Sequence, residues 1–216
     1  MKIILGMMIK NYPDIDRWFE RAKKIADEII IVDNSDDGIT TEKIAKYNPI
    51  LHLKQKDFPR GHGRDYYTIY SSALRLGGDI LIMLDADELI DTRTTKNKII
   101  DIFNKFPNIF SLSLRTYEMW NDEQHYSTYR YIDRIFRLIA GVTIGTSQHA
   151  SWLPNGYKAG LFSGFWMKHL GHMKPEDRKS KKEIYSAGSG RNDEVEADAL
   201  FVREEQEQIK EFEENE

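Results

Sequence analysis

The chain contains no cysteine. Disulfides and thiolate metal sites are therefore excluded, and the composition is compatible with a reducing compartment. No apolar run approaches the roughly 20 residues of a membrane helix. Residues 3–9 are too short even for a signal-peptide core and read better as a first strand. A surplus of either sign is lacking as well: 31 Lys and Arg face 35 Asp and Glu, a net of −4 over 216 residues. Residues 203–216 hold seven Glu against Arg203 and Lys210, a local −5, so the remaining chain nets about +1. That near-neutral body gives no basic signature for nucleic acid. There is no internal repeat, and no linker apart from the acidic tail. What is present is a 40% apolar, 12% aromatic composition, ample for a sizeable core in one large or two small domains.

The chain is organised around residues 80–88. An unbroken apolar run, Ile80 to Leu84, ends in Asp85, Asp87 and Glu88. Such a run after Gly77-Gly78 reads as a buried parallel strand, and ligands of open α/β sheets bind beyond the carboxyl ends of such strands. Asp85 and Asp87 sit two apart, on one side of an extended chain. Carboxylates held that close call for a cation or a shared proton, and oxygen ligands without cysteine favour Mg²⁺ or Mn²⁺. The plainer alternative is that one of them caps a following helix.

The first 90 residues alternate strand and helix: strands at 2–9, 28–33, 50–54 and 80–85, helices after Pro13, over 41–47 and over 66–74. The pattern predicts a doubly wound, mostly parallel α/β sheet with strands one and four side by side at a switch point. Asn11, Asp33 and Asp85 then share one edge. In the second half the spacing predicts a helix over 94–106, an amphipathic strand near 110–115, short strands over 133–139 and 142–146, and helices over 175–187 and 193–212. Residues 117–131, rich in Tyr, Trp and polar groups, read as a binding loop.

Four segments in this order resemble glycosyltransferase family 2, nucleotide-sugar enzymes of GT-A fold: Asn11 after strand one, Ile31-Val32-Asp33-Asn34-Ser35-Asp36-Asp37, Arg64-Asp65, and Leu84-Asp85-Ala86-Asp87-Glu88. The likeness continues into Arg134-Ile135-Phe136-Arg137, His149 and His169-Leu170-Gly171-His172, a spread similar to small bacterial and viral members that decorate lipopolysaccharide cores or surface glycans. The resemblance implies metal-dependent, inverting transfer of a sugar from a nucleoside-diphosphate donor, UDP-linked by default, with Mn²⁺ or Mg²⁺ as cofactor. It implies Asp87 as direct metal ligand, Asp85 holding the ribose or a metal-bound water, and His169 as the late histidine that reaches the metal. Asp33 is expected on the uracil or ribose with Asn11 beside it, and Arg64 on a phosphate or on Asp85. Asp65 stands where the family usually has Asn. Lys179 belongs to a basic segment suited to the diphosphate. For the general base the family offers a Glu after a His; here the stretch is Ser147-Gln148-His149-Ala150, which leaves His149, Glu118, Asp122 or Asp133.

One transferase domain is expected over residues 1–190, with a nucleotide-sugar half to residue 90, an acceptor half after it, and an acidic helix or tail over 191–216. The acceptor is open: a glycan or another hydroxyl, with a modified DNA base as an alternative. A Lys/Ile/Asn-rich composition suggests an AT-rich genome such as a virus, and the expected location is cytoplasmic, in a host cell in that case. A binding module that has lost its base is the non-enzymatic rival. A nucleotidyltransferase would normally show a Gly-rich, Arg-containing loop where this chain has residues 6–11.

Overall fold

The computed structural model describes residues 1–12, 14–55, 62–142, 160–171, 173–176, 178–179 and 210–212. Among these described residues thirteen elements follow in order: β1 (Ile3–Ile9), α1 (Asp16–Ile25), β2 (Glu28–Asp33), α2 (Gly38–Lys46), β3 (Leu51–Lys54), α3 (His62–Arg75), β4 (Ile80–Asp85), β5 (Glu88–Ile90), α4 (Lys96–Lys105), β6 (Ser111–Trp120), β7 (Asp122–Arg137), β8 (Leu161–His169) and β9 (Lys210–Glu211). The nine strands form one sheet in the order β3-β2-β1-β4-β7-β6-β8-β5, with β9 on β7. This is an α/β, Rossmann-like arrangement whose first half is wholly parallel and whose second half is mixed.

The parallel half is doubly wound because its strands are apolar on both faces. Along β1, Ile3, Leu5, Met7 and Ile9 join the core under α1, α2 and α4, while Ile4 and Met8 face α3. Trp18, Phe19, Ala22 and Ile25 form the buried stripe of α1, and Tyr66, Ile69, Tyr70 and Ala73 that of α3. Gly6 permits the α3 contact: a Cβ there would lie 2.2 Å from Ile69 Cγ2. The strand ends are then fixed by register, Ile9 opposite Asp33 and Met8 opposite Asp85. Strands one and four are neighbours, as the alternation predicts, so Asn11, Asp33 and Asp85 emerge at one edge.

Two readings of the second half are corrected. Residues 117–131 are not a loop; they lie in β6 and β7, which turn tightly at Asn121 (φ 65°) and pair along most of their length. Aromatics and alternating polar residues suit a long two-stranded ribbon as well as they suit a loop. The helix expected to end at Phe212 is also wrong at its end, because Lys210–Glu211 pairs antiparallel with β7 at His125 and Tyr126. Phe212 packs edge-on against Tyr117 and Trp166, each with ring centroids 4.9 Å away. Of the strand expected over 142–146, only Val142 is described, and it is not in a strand; of the helix over 175–187, residues 175–176 and 178–179 are helical.

Candidate functional site

A two-residue turn, Ala86-Asp87, joins β4 to β5 and carries the acidic cluster. Glu88 opens β5 and is buried; its Oε2 accepts from the Asp85 backbone N–H at 3.0 Å. Its other oxygen accepts from the guanidinium of Arg134, which also lies 3.3 Å from Asp85 Oδ2. A bulge puts Arg134 there. Leu112 pairs with Ile135 and Ser113 with Asp133, leaving Arg134 as the extra residue of β7, re-aimed toward the turn. Burial, with Glu88 and Asp87 adding repulsion, pushes the Asp85 carboxyl up to about 7 despite Arg134. The Tyr66 phenol is raised too, by burial and by Asp85.

Asp87 is met from the other half of the chain. His169, the last residue of β8, sits in register with Glu88 on β5 and with Glu118 on β6. Its Nε2 is 3.3 Å from Asp87 Oδ2 and its Nδ1 is 2.5 Å from Glu118 Oε2. Burial works against charge on this imidazole, but the two carboxylates outweigh it and push the pKa up to about 10. At neutral pH His169 is an imidazolium held between Asp87 and Glu118. The latter is buried and also lies 3.0 Å from Arg130.

The β2 end forms a second, tightly bonded group. Asp33 is fully buried. It accepts from the Ser35 backbone N–H at 2.8 Å and from Thr41 Oγ1 at 2.7 Å, with His52 Nε2 at 3.1 Å and Lys54 Nζ at 3.3 Å. Burial raises its pKa, yet the hydrogen bonds of Thr41, Ser35 and His52 prevail and hold it below the usual carboxylate range. Asn11, in a left-handed conformation (φ 47°), clamps the next turn by accepting from the Asp36 and Asp37 backbone N–H groups at 3.0 and 3.2 Å. Asn34 Nδ2 donates to Asp65 Oδ2 at 2.7 Å, and Arg64 lies 3.1 Å from Asp65 Oδ1. Arg64 thus pairs with Asp65, at the opening of α3.

The structure brings Asp85, Asp87, His169 and Glu118 together, with Asn11, Asp33, Arg64 and Asp65 along the same edge. Asp133 stands apart, accepting from Ser113 Oγ beside Gly160. Lys179 is exposed, while its neighbour Arg178 is buried over Trp120 at 4.1 Å. His149 and His172 lie outside the described residues. Sequence reasoning missed the Glu88–Arg134 pair. Both residues stood in quoted segments, but only a bulge joins them, and bulges leave no mark in spacing.

Among the described residues, no group of three or more His, Asp or Glu side chains encloses a cation by itself. Asp85, Asp87 and His169 nevertheless suit one shared with a diphosphate: two hard oxygen donors and one nitrogen at one edge. The Asp85 carboxyl is raised chiefly by burial, with repulsion from Glu88 and Asp87 added and Arg134 opposing it. Among the described residues no helix is long and apolar enough to cross a membrane.

No family model and no curated protein matches the sequence. Among solved structures, S. aureus TarS 1–349 in complex with UDP aligns over 93% of this chain and 69% of that one, at 14% identity and a TM-score of 0.52. Against the longer S. aureus TarS structure the chain spans only 42% of that length, at 15% identity and a TM-score of 0.48. Glucosyl-3-phosphoglycerate synthase from Mycobacterium tuberculosis, in complex with Mn²⁺, UDP and glucosyl-3-phosphoglycerate, aligns over 54% of this chain and 44% of that one, at 15% identity and a TM-score of 0.37. A cytidylyltransferase from Leptospira borgpetersenii aligns over 64% and 61%, at 15% identity and a TM-score of 0.41. The likeness is one of fold, a GT-A-like sheet.

Proposed function

We propose that the chain transfers a sugar from a nucleoside-diphosphate sugar, UDP-linked, to an acceptor hydroxyl with inversion, using Mn²⁺ or Mg²⁺. The observation that carries this reading is the meeting of Asp87 and His169, from opposite halves of the chain, at the carboxyl edge beside the β1/β4 switch point. A crystal structure of the same fold holding UDP supports the choice of nucleotide.

In this reading Asp87 and His169 hold the ion, with Asp85 on the ribose or a bound water. A bound divalent ion stabilises the negative charge that the departing diphosphate develops. As a ligand His169 would be deprotonated, and Glu118 at its Nδ1 would fix the ring, the usual support of a ligating histidine. Arg134 holds Asp85 and Glu88 in place, so the turn is set before ligand arrives. The β2 edge takes the nucleoside: Asp33 and Asn11 shape the turn, and Arg64 faces the phosphates. The acceptor's proton goes to His149, since Glu118 is committed to His169, Asp133 to Ser113 and Asp122 to His125. Residues 1–190 act as one transferase domain, cytoplasmic in location.

The test is incubation with a panel of UDP-sugars and Mn²⁺, reading release of UDP and free sugar. Slow donor hydrolysis that chelator stops supports the reading. Release of pyrophosphate from a nucleoside triphosphate and a sugar phosphate would replace it with nucleotidyl transfer. Nucleotide binding without turnover would leave a binding module.

A further inference from the structure

A second concavity lies on the other face of the β6–β7–β8 sheet. Alternation along β8 sends Phe165, Met167 and His169 to one side and Trp166 and Lys168 to the other. The core assignments agree: Phe165 and Met167 pack in the main core, and Trp166 packs with Tyr117, Met119 and Tyr126. On the Trp166 side, the side chains of Arg115, Tyr131, Phe162 and Trp166, with the chain at Gly164 and Phe165 between them, border a cavity of about 300 Å³. That is the lower end of the small-molecule range, about 300–1,000 Å³.

Its chemistry is unusual in two ways. Arg115 has no carboxylate partner among the described residues. Its Nε donates to Tyr131 Oη and its NH1 to Tyr117 Oη, both at 3.2 Å, and its guanidinium stands 5.3 Å from the Tyr129 ring centre and 5.7 Å from that of Tyr131. Beside it, Tyr131 and Phe162 form a tilted pair with centroids 4.6 Å apart, and they are 46% and 66% exposed. Large aromatics left this open on a two-sided sheet are a binding signature rather than a core. Gly164, with φ 74°, sits where β8 bulges against β6 and opens the floor.

We infer that this cavity is a saccharide-binding site for an acidic sugar, with Arg115 on the anionic group and Tyr131 and Phe162 under the ring. A fixed guanidinium fork matches a carboxylate or phosphate in shape and charge. The negative faces of the aromatic rings suit the polarised C–H groups of a pyranose. Single-stranded nucleic acid also stacks on aromatics, but it needs a basic groove to track its backbone, and here one arginine stands in a body without a basic surplus. Neither metal nor nucleotide takes part, so the site does not depend on the transfer reaction.

The experiment is titration of the full chain, in chelator and without nucleotide, followed by tryptophan fluorescence and calorimetry. The probes are glucuronate, glucose 6-phosphate, glucose, inorganic phosphate and a short single-stranded oligonucleotide. The expected result is millimolar or tighter binding of one or both acidic sugars, with glucose and phosphate each at least tenfold weaker. Whichever acidic sugar binds identifies the anionic group. Arg115→Gln removes the preference for acid over neutral sugar, and Phe162→Ala weakens both at least fivefold. Phe162 is exposed, so its variant stays informative if the arginine variant folds poorly. Several outcomes overturn the site: no acidic sugar binding, equal binding of phosphate alone, preference for the oligonucleotide, or binding unchanged in Phe162→Ala. Concentration-dependent self-association abolished by Phe162→Ala would give the face to a second copy and would overturn it too.

Discussion

Asp87 carries the sharpest expectation at the level of single residues. Asp87→Asn should abolish donor hydrolysis and lower the melting temperature by only a few degrees, because the turn lies outside the core and Glu118 still pairs with His169 when the Asp87 contact is lost. Arg134 is the opposite case. It is buried between Asp85 and Glu88, so Arg134→Met leaves two carboxylates without their cation. Breaking a buried pair by removing one partner costs about 3–5 kcal/mol, and urea unfolding should read a loss of that order. The pH dependence follows from the two raised groups. Asp85 folded titrates near 7, above its unfolded value, and His169 near 10, again above its unfolded value. Both bind more protons in the folded state, so in chelator stability falls as pH rises, through about 4 to 7 for Asp85 and about 6.5 to 10 for His169. A metal–nucleotide complex that takes His169 as ligand must expel its proton. Calorimetry at pH 8 in buffers of different ionisation enthalpy should therefore show proton release on binding of Mn²⁺ and UDP, and none in His169→Ala.

At the scale of elements, the parallel half was legible because each strand is a short apolar run and each helix a stripe. Ile80 to Leu84 announces β4 without help from any neighbour. The base of the β6–β7 ribbon was legible, as strands near 110–115 and over 133–139, but its outer part over 117–131 was not: its aromatics pack on partners far away in sequence, Tyr117 on Phe212 and Trp120 on Arg178. β5 was missed because three residues are too few for any period to show. The acidic cluster was readable as a motif, whereas the partner of each carboxylate depended on register and one bulge. Packing of α3 gives a test at this scale. A Cβ on Gly6 would collide with Ile69, so Gly6→Ala should cost about 1–3 kcal/mol by overpacking. It should also disturb the Asn34–Asp65 bond, since α3 carries Asp65, and UDP affinity reads that displacement.

For the whole molecule, the second half is braced by the segment the sequence marks as an acidic tail. Composition predicts that truncation after Val202 changes little. The docking of Phe212 on Tyr117 and Trp166, with Lys168 Nζ 4.5 Å from its ring centre, predicts otherwise. Phe212 is only partly buried, so the loss should be about 1–2 kcal/mol, short of the ~1.5–3 kcal/mol of full burial. Phe212→Ala in the full chain should reproduce most of it in a urea titration.

The pairing of β5 fixes the order in which this molecule becomes competent. Among the described residues its only strand partner is β8, roughly seventy residues downstream, and β8 ends in His169. A ribosome that has released residues 1–137 has supplied all of β1 to β7 but not β8, the strand that holds the Asp87 turn from beyond. The nascent chain thus has most of the described sheet before Asp87 can meet His169. On the function proposed above, cleavage of a donor sugar therefore waits for the synthesis of β8, because only then does His169 reach Asp87.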